Sequence, residues 1–330
     1  MFCISSCDKN RQRERDAFFV KGNLKLNEGE HSEAIRYYSE ALKIDSNFAD
    51  VYNNRGIAFY EERMYGQAVL DYTQAIQLKE QFTDAYYNRA NAYYQLGQLE
   101  KSLQDLDSVK KYYPDSAYVF FTEGLTLTEV GEYDRAIQSM NQSVALDSTN
   151  AEAYVNRGTL YYYQQNFVKA KNDVHKALIF DPKEANAFNL SGLLHTEEKN
   201  YEQALSAFNQ ALELTPYQPF FLNNRGYLYL QTDSLEQAKQ DINQSIRLDA
   251  RNAYAYRNKG IYYLKNGQPQ EAVRSLEQAL SISERTDKTH YYLGMAYIDL
   301  GKKEEACIAL SKAKLTKQTE AVRIYQQHCL

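Results

Sequence analysis

The stretch AYVNRGTLYYYQQNFVKAKNDVHKALIFDP, residues 153–182, predicts two short amphipathic helices joined by a turn near Gln165. Apolar and small residues recur along each half at the three- and four-residue spacing of one helix face. The stretch therefore predicts an antiparallel helix pair. The stripes that would face each other are Tyr154, Gly158 and Tyr161 on the first helix and Phe167, Ala170, Val174 and Ala177 on the second.

The same residue types return at every shift of 34 residues along the chain. Nine copies of the helix pair follow one another without insertion, and small residues in two columns would let their helices approach closely. The first column holds Gly22, Gly56, Ala90, Gly124, Gly158, Gly192, Gly226, Gly260 and Gly294. The second column holds Ala34, Ala68, Ser102, Ala136, Ala170, Ala204, Ala238, Ala272 and Ala306.

The pattern resembles the tetratricopeptide repeat in its period of 34, its two small columns, its aromatic residues around the glycine and its late prolines, Pro114, Pro182 and Pro216. The resemblance implies an all-α fold, a right-handed α-solenoid superhelix of helix-turn-helix units with a C-terminal capping helix. The predicted repeats are 15–48, 49–82, 83–116, 117–150, 151–184, 185–218, 219–252, 253–286 and 287–318. The remaining segments are 1–14, an N-terminal tether or signal remnant, and 319–330, the capping helix and tail.

Composition and motifs exclude several classes of function. The 330 residues carry a net charge of −5 and no basic run, which argues against nucleic acid as a ligand. No apolar stretch of about 18 residues is present, so we expect no transmembrane helix. The five histidines fall in different repeats, where His195 and His290 replace core aromatic residues, and no catalytic motif occurs. We predict no enzymatic activity, cofactor, metal site or small-molecule substrate.

The four cysteines, Cys3, Cys7, Cys307 and Cys329, show no spacing typical of a zinc site or a disulfide framework. We interpret Cys307, which lies inside a repeat, as a buried thiol. The tetrapeptide ISSC that ends at Cys7 resembles the lipobox of bacterial lipoproteins, in which this cysteine is lipidated. If the true start lies upstream, the resemblance implies a bacterial membrane protein anchored only at Cys7; otherwise a cytoplasmic location is expected.

A comparison of the nine copies predicts four salt bridges. Arginine precedes the first small column in repeats two, three, five and seven, and these repeats also carry an aspartate in one column of the second helix. The two columns would lie side by side in an antiparallel pair, where a guanidinium can hold a carboxylate by two hydrogen bonds. We predict a structural role for Arg55–Asp71, Arg89–Asp105, Arg157–Asp173 and Arg225–Asp241.

The positions opposite the core stripe of each first helix line the concave groove in the tetratricopeptide family, where extended peptides usually lie. The recurrent asparagines there are similar to the asparagine ladder of the O-linked N-acetylglucosamine transferase superhelix. Side-chain amides suit a peptide backbone because they both donate and accept hydrogen bonds. The alternative is that asparagine beside arginine is merely common in this family. The predicted groove residues are Asn54, Asn88, Asn156, Asn224, Asn258, Tyr163, Tyr227 and Tyr254.

The predicted groove also changes along the chain, from acidic residues such as Asp50 and Asp84 to apolar ones such as Phe220 and Tyr254. We predict a non-enzymatic protein–protein interaction scaffold that binds protein partners through extended peptide segments. The alternative is a membrane-anchored bacterial repeat lipoprotein that acts as an envelope or pilus assembly factor.

Overall fold

The computed structural model describes the backbone of residues 2–284, 286–315 and 319–330, and the side chains of residues 9–284, 286–314 and 320–330. These ranges contain nineteen α-helices and no strand, which confirms the predicted all-α class of paired helices. The chain forms two compact units, and the boundary between them falls after Leu160. In both units the odd-numbered helices are the first helices of the repeats and the even-numbered helices are the second.

The first unit spans Met1–Leu160 and contains four complete helix pairs. Its helices are α1 (Phe2–Asn27), α2 (His31–Ile44), α3 (Ala49–Glu61), α4 (Tyr65–Leu78), α5 (Thr83–Gln95), α6 (Leu99–Lys110), α7 (Ala117–Val130), α8 (Tyr133–Leu146) and most of α9 (Ala151–Tyr163). Within each pair the two helices pack against each other, and the second helices α2, α4 and α6 also pack against the next first helix.

The second unit spans Tyr161–Leu330 and repeats the same arrangement. Its last helix, α19, has no second helix after it. The helices that follow α9 are α10 (Phe167–Phe180), α11 (Ala185–Glu197), α12 (Tyr201–Leu214), α13 (Pro219–Gln231), α14 (Leu235–Leu248), α15 (Ala253–Lys265), α16 (Pro269–Ile282), α17 (Thr289–Asp299), α18 (Lys303–Leu315) and α19 (Thr319–Cys329).

The two helices of a repeat meet at the first small-residue column. A Cβ atom built on Gly56 would lie 2.6 Å from the Tyr72 ring, and one on Gly192 would lie 2.6 Å from the Phe208 ring. Glycine therefore lets the first helix approach closely enough to enclose a large side chain of the second. The residues 16 positions after the column are all buried: Tyr38, Tyr72, Leu106, Met140, Val174, Phe208, Ile242, Leu276 and Leu310.

The turn between the two helices holds one residue at positive φ in every repeat. Glycine adopts this conformation without steric cost, which explains the second glycine column and confirms that these glycines end the first helix. The glycines at this position are Gly29, Gly97, Gly131, Gly267 and Gly301, and the other repeats carry Arg63, Gln165, Lys199 and Asp233 there.

A disulfide between Cys307 and Cys329 joins α18 to α19, and the Cα atoms of the two cysteines are 5.6 Å apart. The interpretation of Cys307 as a buried free thiol is therefore wrong. The two cysteines are 22 residues apart, a spacing that indicates no disulfide by itself. They meet because α19 packs against α18 in the place where a tenth repeat would begin.

Candidate protein-binding surface

The first helices of consecutive repeats contact one another directly. In the first unit α1 contacts α3, α3 contacts α5 and α5 contacts α7; in the second unit α11 contacts α13, α13 contacts α15 and α15 contacts α17. Each unit therefore presents a continuous layer of first helices. We call the solvent-accessible side of this layer the first-helix surface of that unit, and the predicted groove residues belong to these helices.

Hydrogen bonds between asparagines join neighbouring first helices. Asn88 donates from Nδ2 to the Oδ1 atom of Asn53 at 3.1 Å in the first unit. In the second unit Asn224 donates to Asn189 at 3.0 Å. Each bond connects residues 35 positions apart. The amides therefore link the first helices of consecutive repeats and fix their relative position. The asparagine row therefore has a structural role, which neither the ladder hypothesis nor its alternative, that asparagine beside arginine is merely common in the family, predicts.

Three of the predicted groove amides combine an interhelical hydrogen bond with partial access to solvent. The side chains of Asn54, Asn88 and Asn224 are half-buried. Asn54 donates to Asn23 at 2.9 Å, as Asn88 and Asn224 donate to their own neighbours. An amide carries two N–H groups and an oxygen with two lone pairs, so one interhelical bond leaves capacity for a ligand.

Asn258 does not belong to a ligand site, and its assignment to the groove is wrong. Its side chain is fully buried. The Nδ2 group donates to Asn223 Oδ1 at 2.8 Å, and the Oδ1 atom accepts from Arg257 at 2.9 Å. Asn156, which is half-buried, donates back to the Glu152 carbonyl of its own helix at 2.9 Å.

Exposed aromatic side chains occupy equivalent positions on two neighbouring first helices of the second unit, and Tyr118 on α7 is exposed at the same position in the first unit. Phe220 on α13 is 51% exposed, and Tyr254 at the equivalent position of α15 is 42% exposed. The Arg257 guanidinium carbon lies 5.4 Å from the ring centre of the half-buried Tyr227 and 5.1 Å from that of Tyr254. Tyr163, at the end of α9, is 63% exposed. The predicted tyrosines thus remain accessible to different extents, and Phe220 extends their surface.

Two other tyrosines of the second unit are half-buried. Tyr162 donates its hydroxyl hydrogen to Glu197 Oε1 at 3.1 Å, and burial, followed by the Glu197 charge, raises the pKa of Tyr162 well above its usual range. Burial is also the main cause of the raised pKa of Tyr292. Both phenols stay protonated at neutral pH, so they act as hydrogen-bond donors and packing groups.

Three of the four predicted arginine–aspartate pairs have bidentate geometry. Arg55 lies 2.7 Å from Asp71, Arg89 lies 2.8 Å from Asp105, and Arg225 lies 2.7 Å from Asp241. The aspartates are buried and the arginine side chains are 15–22% exposed. Arg157 belongs to the first unit and Asp173 to the second, and their pairing stays a prediction.

Each of these arginines also reaches the second helix of the preceding repeat, which the sequence comparison missed. The Nη1 group donates to a polar side chain 16 residues earlier, so the guanidinium groups of Arg55, Arg89 and Arg225 each tie together two consecutive second helices. The sequence could have revealed this contact, because a short polar residue stands 16 positions before each of these arginines. The acceptors are Ser39 for Arg55, Thr73 for Arg89, Asn141 for Arg157 and Asn209 for Arg225.

Repeat four replaces the arginine by a glutamate and so reverses the charge at this position. Glu123 is buried, and Lys110 from the preceding second helix places its Nζ atom 2.5 Å from Glu123 Oε1. Ser139 donates to the other carboxylate oxygen at 3.0 Å. The link between consecutive second helices is thus kept, with the anion on the first helix, the cation on the preceding second helix and a neutral serine in the aspartate column.

The described side chains form no group of three or more histidine, cysteine, aspartate or glutamate residues that could hold a metal ion. Of the helices that the structure describes, none has the length and apolar character of a membrane-spanning helix. The side chain of Cys7, the predicted lipidation site, lies outside the described residues.

Stacked helix pairs with a small-residue contact inside each pair and a polar layer between first helices define a helical-repeat protein. The chain belongs to the tetratricopeptide repeat family. A model described as TPR repeat matches residues 22–62, 64–97 and 124–165. Models described as tetratricopeptide repeat match residues 84–116, 155–219, 221–252, 253–285 and 288–327. These repeats indicate a protein–protein interaction scaffold.

Solved structures with the same fold share little sequence with this chain. A crystal structure of the APC/C hetero-tetramer Cut9–Hcn1 aligns with a TM-score of 0.66 and 14% identity, over 96% of this chain and 76% of that one. PilF of Pseudomonas aeruginosa aligns with a TM-score of 0.57 and 20% identity, over 68% of this chain and 99% of that one. At these identities the likeness shows the fold alone. No curated protein matches the chain significantly in sequence.

Proposed function

We propose that the first-helix surface of the second unit binds an extended segment of a partner protein. The observation that carries this proposal is the exposure of Phe220 and Tyr254 at equivalent positions of neighbouring first helices. Large aromatic side chains that remain in solvent at a regular spacing are typical of protein interfaces, where they supply much of the binding energy. The partner segment would place apolar side chains against these two rings.

A polar group beside the rings supports an extended conformation of the bound segment. Asn224 lies one helical turn after Phe220 on α13, and its Nδ2 bond to Asn189 at 3.0 Å fixes the orientation of the amide. A fixed amide can accept from, and donate to, a main-chain peptide group without losing rotational freedom on binding. Only an extended segment offers free main-chain groups, because a helix uses its own internally.

The test uses a display library of random 16-residue peptides as the probe, selected against the full chain. Selected peptides are then measured by fluorescence anisotropy against the chain, against the double variant Phe220→Ala/Tyr254→Ala and against Asn224→Ala. We expect the double variant to weaken binding at least about tenfold, which corresponds to about 1.4 kcal/mol. We expect a smaller loss for Asn224→Ala.

The matched control removes two exposed apolar side chains from a second helix. Val168 and Ile179 on α10 are 73% and 59% exposed, so Val168→Ala/Ile179→Ala changes the surface to a similar degree elsewhere. Its peptide affinities should equal those of the unmodified chain. Selection of no peptide, or equal affinities for the control and the Phe220/Tyr254 variant, would refute the proposal.

A further inference from the structure

The disulfide between Cys307 and Cys329 is the covalent link that holds the C-terminal helix to the last repeat. Cys307 lies in the first half of α18, and Cys329 is the last residue of α19. Both cysteines are half-buried, so the bond is within reach of a reagent in solution. The disulfide therefore secures the C-terminal end of α19, whereas the N-terminal end of α19 is the one that the chain connects to α18.

Apart from the disulfide, the described residues of α19 are held by packing against α18. Ala321, near the beginning of α19, is fully buried in this contact. Near its middle the Lys314 ammonium lies 5.2 Å from the ring centre of Tyr325. The helix has 11 residues, and an isolated helix of that length is marginal in water. Its order must therefore depend on its attachment to α18.

Because α19 is attached to α18, it covers the last second helix of the described repeats. Ala321 follows the start of repeat nine by 34 residues, so α19 stands where the first helix of a tenth repeat would lie. Second helices inside each unit are covered on this side by the next first helix. For α18 that cover is α19, and terminal repeats of such arrays need a cover with a polar outer face.

We propose that the Cys307–Cys329 bond is a redox-sensitive clamp whose reduction by a dithiol releases α19 from α18. A thiolate of the dithiol attacks one of the two sulfurs, so that a mixed disulfide forms and one cysteine leaves as a thiolate. The second thiol of the reagent then displaces the other cysteine. The dithiol ends as its own disulfide, and its two electrons and two protons pass to Cys307 and Cys329. Release uncovers the outer side of α18 as a new surface at the end of the array.

The test uses the full chain with Cys3→Ser and Cys7→Ser, so that Cys307 and Cys329 are the only cysteines present. Hydrogen–deuterium exchange of the segment 319–330 is followed by mass spectrometry before and after treatment with dithiothreitol. We expect the intact mass to rise by two hydrogen atoms on reduction. We expect amides of α19 to exchange at least about tenfold faster in the reduced chain, with unchanged exchange in α13 and α15.

A further variant, Cys329→Ser in the same background, separates the effect of the bond from other effects of the reagent. It should show the fast exchange of α19 with and without dithiothreitol. Equal protection of α19 in the oxidised and reduced chains would overturn the proposal, because packing alone would then hold the helix. An intact mass that does not change on reduction would overturn it as well, because the bond would be absent.

Discussion

The contact inside each helix pair and the first-helix surface differ in how far their residues may vary. We call the former the helix seam: the small-residue column, the large residue opposite it and the arginine–aspartate pair. Its geometry is the same in both units, since Gly56 faces Tyr72 in one and Gly260 faces Leu276 in the other. The small-residue column admits only glycine or alanine because a larger side chain would meet the residue opposite it. That opposite residue is buried and apolar or aromatic in every repeat.

The first-helix surface changes its chemistry at positions that are equivalent in every repeat. The position of Phe220 and Tyr254 in the second unit is occupied in the first unit by the exposed carboxylates Asp50 and Asp84 and by the exposed Tyr118. Both types of side chain can be exposed to solvent at this position. The fold therefore places little restriction on the residue type there. We conclude from this comparison that the helix seam determines the architecture. The residues at the variable surface positions can instead determine which partner binds.

The largest effect is expected from a side chain added to the seam. A Cβ atom on Gly260 would lie 2.5 Å from Leu276 Cγ, and valine adds two further methyl groups there. We expect Gly260→Val to lower the free energy of unfolding by about 3 kcal/mol, measured by urea titration. Gly66 is the control, because a Cβ there meets nothing within 4 Å. Gly66→Ala should leave stability unchanged or raise it by about 0.5 kcal/mol; equal losses in both variants would break the comparison.

A smaller loss is expected when one charge of the seam is removed. Asp105→Ala leaves the Arg89 guanidinium without the carboxylate that it contacts at 2.8 Å, in a site where the arginine side chain is only 15% exposed. We expect the free energy of unfolding to fall by about 2 kcal/mol. The double variant Arg89→Met/Asp105→Ala should recover part of this loss, because no unpaired charge remains. A double variant as unstable as the sum of its single variants would contradict the pairing.

A pH-dependent effect is expected beside the seam in repeat nine, where His290 takes the position of a core aromatic residue. Burial, followed by the Lys312 charge, lowers the pKa of His290 below its usual range, while Glu284 acts in the opposite direction. The unfolded chain therefore binds the proton more readily, and the stability contributed by the neutral ring is lost as the pH falls below about 6.5.

The variant His290→Phe removes this proton-binding group. The gain in free energy of unfolding of the variant over the unmodified chain should grow as the pH falls from 7.5 to 5, measured by urea titration at each pH. Tyr256 occupies the same column in repeat eight and has no imidazole ring. A Tyr256→Phe control should keep the pH dependence of the unmodified chain, and a difference for His290→Phe that is constant with pH would exclude this explanation.

The sequence predicts most of the seam and only part of the surface. The glycine column and the Arg55–Asp71 type of pair recur at fixed positions, so comparison of the nine copies is enough to find them. Burial of Asn258 depends on Asn223 in the neighbouring repeat and on Arg257 beside it, and the recurrence of asparagine does not reveal those contacts. The Cys307 disulfide likewise depends on where α19 packs.

The smallest effect on stability is expected at the first-helix surface itself. Phe220 and Tyr254 are about half exposed, so their truncation removes little buried area. We expect Phe220→Ala/Tyr254→Ala to change the free energy of unfolding by no more than about 0.5 kcal/mol in urea titration, while the same variant loses peptide affinity. A loss comparable to that of Gly260→Val would mean that the two rings belong to the packing of the second unit, and the distinction between seam and surface would fail there. Stability retained together with lost affinity would assign the rings to the partner.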